Sequence, residues 1–444
     1  MCVRGATAGI KEAARQGRRS HAEPTVKAAE TAPGPAGDAG ASAETATTPS
    51  LCRSRNFVLL WAGQFVSQIG DRLAMVAFPW LVYTATGSTL STGIVLAIYT
   101  LPYLLFGMFA GLAIDRLNKR RVMLVAELAR VVLVLLVPLA ADTGLWLVFV
   151  LSFAMASLTV VFDPAKLSLL PDIVHKEQLM RANSLLSSAE TLTEVLGYAS
   201  AGFLLAAVST ATAFRLDALT FLVSAVTLAL MAYTPPVRAA AERTARSFGR
   251  ELREGFAYMR RHRGLLANTI LTVAIALGLG ASYPLTFFLA VEVLDGGTQA
   301  FGIFEAALAV GALTGSLAVA GWARRLRIGR TIIVSFALVG TGMAAIAAVE
   351  HVWTAAVIFG LSGIANAAGL ISIDTYVQQV VPEQVRGRVW GSRFMMTQGG
   401  YAISVLAGGA LAGVFDIRAL FVVAGLVVAL PALLAFFVPA LRDA

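Results

Sequence analysis

Twelve apolar stretches recur along this chain of 444 residues, and the polar linkers between them alternate in charge. The stretches cover 57–83, 92–113, 122–140, 144–162, 184–208, 214–233, 265–291, 301–322, 330–349, 352–373, 391–414 and 418–438. Crossing a bilayer core as a helix takes about 20 apolar residues, close to the length of each stretch. The apolar residues run continuously instead of alternating, which argues against a transmembrane barrel. Composition agrees. Only 14% of residues are charged and the mean hydropathy is +0.75, whereas soluble domains carry about 25% charged residues. The expectation is an all-α membrane protein.

Linkers after the second, fourth, sixth, eighth and tenth stretches are rich in Arg and Lys, while those after the first, third, fifth, seventh and ninth contain neither. Positive residues stay on the cytoplasmic side. This predicts a multi-pass protein of the plasma (inner) membrane with both termini cytoplasmic. The net charge of +9 then reads as a topology signal that also meets anionic lipid, and not as a nucleic-acid surface. Cys2 and Cys52 and four scattered His supply no disulfide framework and no metal-ligand spacing. No phosphate loop, nucleophile elbow or zinc helix is present. The chain is therefore expected to be no enzyme and to need no cofactor, and any work it does must draw on a gradient.

Residues 1–50 are Ala, Thr, Gly, Pro and Glu with few large apolar side chains, a composition expected to stay disordered as a cytoplasmic tail. It holds no apolar core of signal-peptide length. The remainder contains two copies of one unit. Asp163 precedes Pro171 as Asp374 precedes Pro382, Glu177-Gln178-Leu179 matches Glu383-Gln384-Val385, and Gly111–Arg120 aligns with Gly321–Arg330. The offsets (383 − 177 = 206, 330 − 120 = 210, 374 − 163 = 211) stay close to one value. Two six-helix bundles, 51–233 and 265–440, are expected, related by an axis along the membrane normal. Between them, 234–264 is basic. Phe248, Leu252, Phe256 and Met259 recur there at helical spacing, with Arg250, Arg253, Arg260 and Arg261 on other faces. That pattern predicts an amphipathic helix on the cytoplasmic leaflet.

Ionisable groups inside a membrane span are costly and default to functional candidates. Asp71 lies near the middle of the first stretch beside Arg72, and Gln64, Gln68 and Asp71 share a face by their i, i+4, i+7 spacing. Such a stripe suits a cavity wall, with Asp71 either loading a proton or fixing helix packing through Arg72. Glu190 and Glu194 lie one turn apart in the fifth stretch. Two like charges so close favour a shared proton or a nearby cation. These three carboxylates are the proton-coupling candidates. Gln64, Gln68, Arg72, Asn366, Gln398 and Tyr401 are the candidates for cavity lining. Glu127 and Arg130 are spaced to satisfy each other. Glu305 falls near the outer edge of its stretch, and Arg215 with Asp217 reads as an interfacial anchor.

After the second stretch stands Gly107-Met-Phe-Ala-Gly111-Leu-Ala-Ile-Asp115-Arg116-Leu-Asn118-Lys119-Arg120-Arg121. It resembles the cytoplasmic signature of the major facilitator superfamily, with Asn118 in place of a glycine; Asn tolerates left-handed backbone. The resemblance implies a twelve-helix major facilitator fold in two pseudo-symmetric bundles, and a cytoplasmic latch to the other half made by Gly111, Asp115, Arg116 and Arg120. Gln68-Ile-Gly70-Asp71, Phe162-Asp163-Pro164-Ala165-Lys166 and Arg386-Gly387-Arg388-Val389 look like the branch containing macrolide-efflux and enterobactin-export proteins. The fifth stretch has Gly197 and Gly202 but lacks the Gly-Pro pair of many drug–proton antiporters. What the branch implies is a monomeric exporter of a drug, antibiotic, siderophore or similar amphipathic small molecule, driven by protons. The rival readings are a proton-coupled uptake symporter and a non-transporting sensor or assembly partner.

Overall fold

The computed structural model describes residue 51 and residues 54–103, 105–106, 117–175, 178–234, 245–322 and 327–443. All regular structure among them is helical. The helices are α1 (Arg55–Thr86), α2 (Thr89–Ile98), α3 (Lys119–Thr143), α4 (Leu145–Ile173), α5 (Leu179–Ala207), α6 (Thr210–Leu230) and α7 (Ala245–Arg261). They continue as α8 (Arg263–Phe288), α9 (Gly297–Trp322), α10 (Ile328–Ala345), α11 (Val352–Val380), α12 (Glu383–Ala412), α13 (Ile417–Ala435) and a short α14 (Pro439–Arg442). A π turn, Leu289–Val293, prolongs α8.

Eight helices among the described residues, α3, α4, α6, α8, α9, α10, α11 and α13, are long and apolar enough to cross a membrane. The other four expected crossings fall on α1, α2, α5 and α12. The described part of α2 is short, while α1, α5 and α12 are long but carry charged and amide side chains within their apolar runs.

Local chemistry explains the helix ends. Ser88, Asn118, Ser209 and Asp416 accept the backbone N–H of Ser91, Arg121, Thr212 and Ala419 at 3.2, 3.2, 3.3 and 3.0 Å, satisfying donors that a helix start leaves free. Asn118 is thus an N-cap in extended conformation, φ −72°, and not the left-handed turn residue that its place in the motif suggests. Gly87 ends α1 at φ 61°, its N–H donating to the Tyr83 carbonyl at 2.7 Å. That left-handed geometry favours glycine.

Helix pairs recur in the two halves. α1 packs on α5 and α6, and α3 on α4 and α6; correspondingly α8 packs on α12 and α13, and α10 on α11 and α13. Across the halves, α5 meets α9 and α2 meets α12. These crossings are backbone-close: a Cβ on Gly93 would lie 2.5 Å from the Gly409 Cα, and one on Gly302 would lie 2.6 Å from the Tyr198 carbonyl oxygen. Both crossings, with Tyr83 edge-on to Phe287 at 5.8 Å, lie at the end where α2, α6 and α9 begin. A core cluster there joins Phe78, Phe214 and Phe221 to Phe287, Phe301, Phe304 and Phe421. At the other end, which carries the basic linkers, the clusters around Leu60 and Leu169 and around Val377 and Val389 each stay within one half.

The outside of the molecule is apolar. Val125, Leu139, Leu317 and Leu361 are each more than 60% exposed, as lipid-facing side chains must be when the backbone satisfies itself. Trp146 and Trp353 begin α4 and α11, 353 − 146 = 207 residues apart, and both are exposed. Repeat-related tryptophans at one level fit a membrane–water interface.

The linker helix α7 packs on α8 and α12. Met259 is buried with Leu265, Val377 and Val389, Glu254 pairs with Arg388 at 2.7 Å, and Arg253, Arg260 and Arg261 face outward. Part of its apolar side therefore faces protein, not lipid. Gly111, Asp115 and Arg116 of the motif lie outside the described residues. Arg120 donates to the Leu228 carbonyl at 2.7 Å and to the Ala229 carbonyl, holding the end of α6 within its own half.

Candidate functional site

The first half encloses a polar cavity of about 470 Å³ between α1, α2, α3, α4 and α5. The one-face spacing on α1 brings Gln64, Gln68, Asp71 and Arg72 to one wall; Asp163 and Lys166 of α4 and Glu190 and Glu194 of α5 form another. The two glutamates do not share one cation. Arg72 Nη2 meets Glu194 Oε1 at 3.0 Å, and Lys166 Nζ meets Glu190 Oε1 at 2.9 Å and Asp163 Oδ1 at 3.8 Å. The Arg72 guanidinium also lies 5.4 Å from the centre of the Tyr198 ring, and the Tyr103 hydroxyl donates to Asp163 at 3.0 Å.

Behind this wall, Arg130 stands 3.7 Å from Glu127 and donates to Thr159 at 2.8 Å. Its guanidinium lies 5.0 and 5.4 Å from the Phe162 and Phe221 rings. Glu127 in turn accepts from Ser224 at 2.8 Å, and Gln68 accepts from Thr193 at 2.9 Å. The Glu127–Arg130 pair thus forms as its spacing suggests, within a wider hydrogen-bonded set.

Asp71 differs from its neighbours. Among the described residues it takes no hydrogen bond and no ion pair, although Arg130, Arg72, Asp163 and Lys166 are all within electrostatic reach. Five carboxylates (Asp71, Glu127, Asp163, Glu190, Glu194) face three cations (Arg72, Arg130, Lys166) in this network. With the other four carboxylates paired, Asp71 is the one left for a proton or an incoming cation. A charge buried unpaired in a membrane costs several kcal/mol.

A second cavity of about 440 Å³ opens beside the first, between the halves. Met75, Tyr99 and Tyr103 line both. Asn366 of α11 and Gln398 and Tyr401 of α12 lie here, with Tyr198, Tyr283 and Glu305. The Tyr99 hydroxyl and the Asn366 side-chain oxygen are buried without a partner.

Sequence reasoning passed over Lys166 and undervalued two carboxylates. Lys166 sits in α4, which runs to Ile173, well past the apolar stretch that ends at 162. Asp217 is fully buried beneath Gly70, with one oxygen unpartnered. It is not an interfacial anchor, although its neighbour Arg215 is exposed. Helix α6 starts at Thr210 and α9 at Gly297, each four residues before its apolar stretch. That places Asp217 and Glu305 one turn deeper than hydropathy suggests.

A family profile described as transmembrane secretion effector matches residues 46–443. The chain belongs to this family of major facilitator transporters. It is 27% identical over 387 residues to the multidrug efflux pump Tap of Mycolicibacterium fortuitum, covering 84% of this chain and 93% of that one. It is 25% identical over 267 residues to macrolide efflux protein A of Streptococcus pyogenes, and there the match spans 59% of this chain but only 65% of the relative. Among solved structures the fold resembles the nucleoside transporter NupG (TM-score 0.69, 13% identity, 86% of this chain and 98% of that one). It also resembles a bacterial homologue of the iron transporter ferroportin in an inward-facing state (TM-score 0.67, 19% identity, 88% and 99%). The molecule is thus a multi-pass membrane protein of a transporter family.

Proposed function

We propose that this transporter exports an amphipathic small molecule, such as an antibiotic, another drug or a siderophore, in exchange for protons. The observation that carries the reading is Asp71: a carboxylate without a partner, inside a membrane, on the wall of a cavity whose other charges are paired. Proton binding there neutralises the one carboxylate of the cavity that lacks an ion-pair partner, and proton release restores its charge. Glu190 and Glu194 hold the cations that Asp71 would otherwise attract, so a proton arriving at Asp71 can redistribute Lys166 and Arg72 among the three carboxylates. Gln64, Gln68 and Arg72 line the proton side of the path; Asn366, Gln398 and Tyr401 line the substrate side.

The two six-helix bundles, 51–233 and 265–440, rock about the cavities, joined by 234–264. The basic linkers set the orientation, with the basic end and both termini cytoplasmic in the plasma membrane. The halves close on each other at the opposite end, so the conformation is one that loads from the cytoplasm. Gly111, Asp115, Arg116 and Arg120 serve as a latch for the alternative state, when the basic end closes. One monomer in the lipid bilayer contains both cavities and suffices.

The reading is supported by efflux relatives at about a quarter identity. It is tested by accumulation of dyes and antibiotics in cells with and without the protein, and with and without a proton uncoupler. The expected result is low accumulation that rises on uncoupling only where the protein is present. Accumulation indifferent to both the protein and the uncoupler sinks the proposal.

A further inference from the structure

Another hollow, about 540 Å³ and so larger than either chamber, lies on the outside of the second half between α10 and α13. Val334, Ala337, Leu338 and Thr341 of α10 form one wall, and Leu433, Phe436 and Phe437 at the end of α13 form the other. Thr341 is the polar side chain among these, and its hydroxyl donates to its own helix at the Ala337 carbonyl, 2.9 Å away. Val334, Leu338, Leu433 and Phe437 are exposed, so the groove is apolar and open to lipid.

One end of the groove is basic. Arg330 continues the groove-lining face of α10, since 330, 334, 337, 338 and 341 follow the i, i+4, i+7, i+8, i+11 spacing of one helix face. From Arg330 to Thr341 is about 16 Å of helix at 1.5 Å per residue, close to half of a ~30 Å hydrocarbon core. The groove is thus about one leaflet long. Arg327 stands one turn earlier, and both arginines are exposed, with no ion pair and no side-chain hydrogen bond among the described residues. Arg442, whose guanidinium lies 5.4 Å from the centre of the Phe436 ring, pairs with Asp443, and Arg327 and Arg330 are within electrostatic reach of that same acid. Three cations therefore meet one carboxylate. The first half treats the matching place differently. Arg120, the counterpart of Arg330 at an offset of 330 − 120 = 210, is drawn onto the Leu228 and Ala229 carbonyls, whereas Arg330 stays exposed.

We propose that this groove holds one acyl chain of an anionic phospholipid, with the phosphate at Arg327 and Arg330. Charge selects the lipid class: an anionic headgroup compensates the two unpaired arginines, while a zwitterionic one brings a further cation to the same place. The planar guanidinium groups offer paired N–H donors that suit phosphate oxygens. The length of the apolar wall then aligns the chain with a single leaflet. The site stands apart from both chambers and does not depend on what is transported.

The test is native mass spectrometry of the full-length protein released from detergent, with phosphatidylglycerol and phosphatidylcholine of the same acyl chains offered at equal concentration. One retained phosphatidylglycerol per chain is expected, favoured over phosphatidylcholine ~30-fold, at about fivefold for each unpaired arginine. The double variant Arg327→Gln/Arg330→Gln should abolish that preference. Arg260→Gln/Arg261→Gln on α7, where both side chains are also exposed, should keep it. Ala337→Trp, which fills the groove and leaves the arginines in place, should lower retention of the lipid. Equal retention of the two lipids by the unaltered protein overturns the proposal, as does an equal loss from both double variants. Retention undiminished by Ala337→Trp, or a dimer of the chain in place of bound lipid, overturns it too. If Ala337→Trp does not fold, the headgroup preference and the two double variants decide.

Discussion

In the first half of the transporter, Lys119, Glu127, Arg130, Lys166 and Asp217 are charged and buried; in the second half, Arg393 is the one buried charge among the described residues. Yet the two halves pair their helices alike. Lys166 has Val377 as its counterpart 211 residues on, while the carboxylate three residues earlier is kept as Asp163 and Asp374. The repeat preserves the acid and loses the lysine beside it. Arg393 is held by the neutral oxygens of Asn268, Thr269 and Thr272 at 2.6, 3.1 and 2.9 Å, with Asp374 within electrostatic reach but not in an ion pair. The second half packs backbone to backbone: a Cβ on Gly311 would lie 2.0 Å from the Gly360 carbonyl oxygen and one on Gly340 2.5 Å from that of Gly425. Small residues at such interfaces let helices approach where lipid offers no hydrophobic drive. Duplication thus supplied the scaffold, and the ionic chemistry gathered in one copy.

The sharpest way to break this comparison is Asp71→Asn. One proton moving down 100 mV supplies about 2.3 kcal/mol, enough for a ~50-fold concentration ratio. In liposomes with an imposed proton gradient, Asp71→Asn should reduce that ratio to unity, whereas Asn in place of Asp374 in the second half should leave it. A comparable loss from both positions would show that the second copy also carries protons.

Next in size are the matched positions 119 and 329, which are 210 residues apart. Lys119 meets Asp172 at 2.6 Å with both side chains buried. Lys119→Met should destabilise the first half by ~3–5 kcal/mol, as breaking a buried pair does. A Cβ on Gly329 would lie 1.7 Å from the Leu441 carbonyl oxygen, so Gly329→Ala should cost ~1–3 kcal/mol through overpacking. Thermal unfolding in detergent measures both, and the reverse order of effects would undo the contrast between an ionic half and a steric half.

Gly93→Val probes the crossing between the halves. The added side chain collides with Gly409 only while that end is closed, so ~1–3 kcal/mol of overpacking shifts the population toward its opening. A cysteine placed at Thr298, which is buried and donates to the Gly202 carbonyl at 3.2 Å, should then react faster with a membrane-impermeant thiol reagent. The smallest effect belongs to Glu254→Ala on α7. Its pair with Arg388 is nearly half exposed on both sides, and such a pair contributes ~1 kcal/mol or less.

Much of the fold was legible because lipid demands it. Each crossing must be a continuous apolar helix, so the runs, the linker charges and the repeat stand out. Helices α1, α5 and α12 were hardest to separate from soluble helices by hydropathy, and each contributes polar side chains to a cavity wall. Asp71, Glu190 and Glu194 drew attention because a carboxylate in an apolar run is conspicuous. Lys166 did not, and Asp217 and Glu305 were placed too near the membrane surface, because α4, α6 and α9 extend a turn or more beyond their apolar runs and carry those residues inward. Ion-pair partners were equally hidden: nothing in the spacing along α5 says that Glu194 takes Arg72 while Glu190 takes Lys166.

The central claim is that the two halves exchange one closed end for the other. Spin labels on Ser209 and Asp295 report the end that is closed here, and labels on His175 and Gln384 report the basic end; all four positions are exposed. Distances between the labels of each pair, measured as pH is lowered with and without a transported drug, should move in opposite senses. The Ser209–Asp295 distance should lengthen while the His175–Gln384 distance shortens. Both distances staying fixed, or lengthening together, would contradict it.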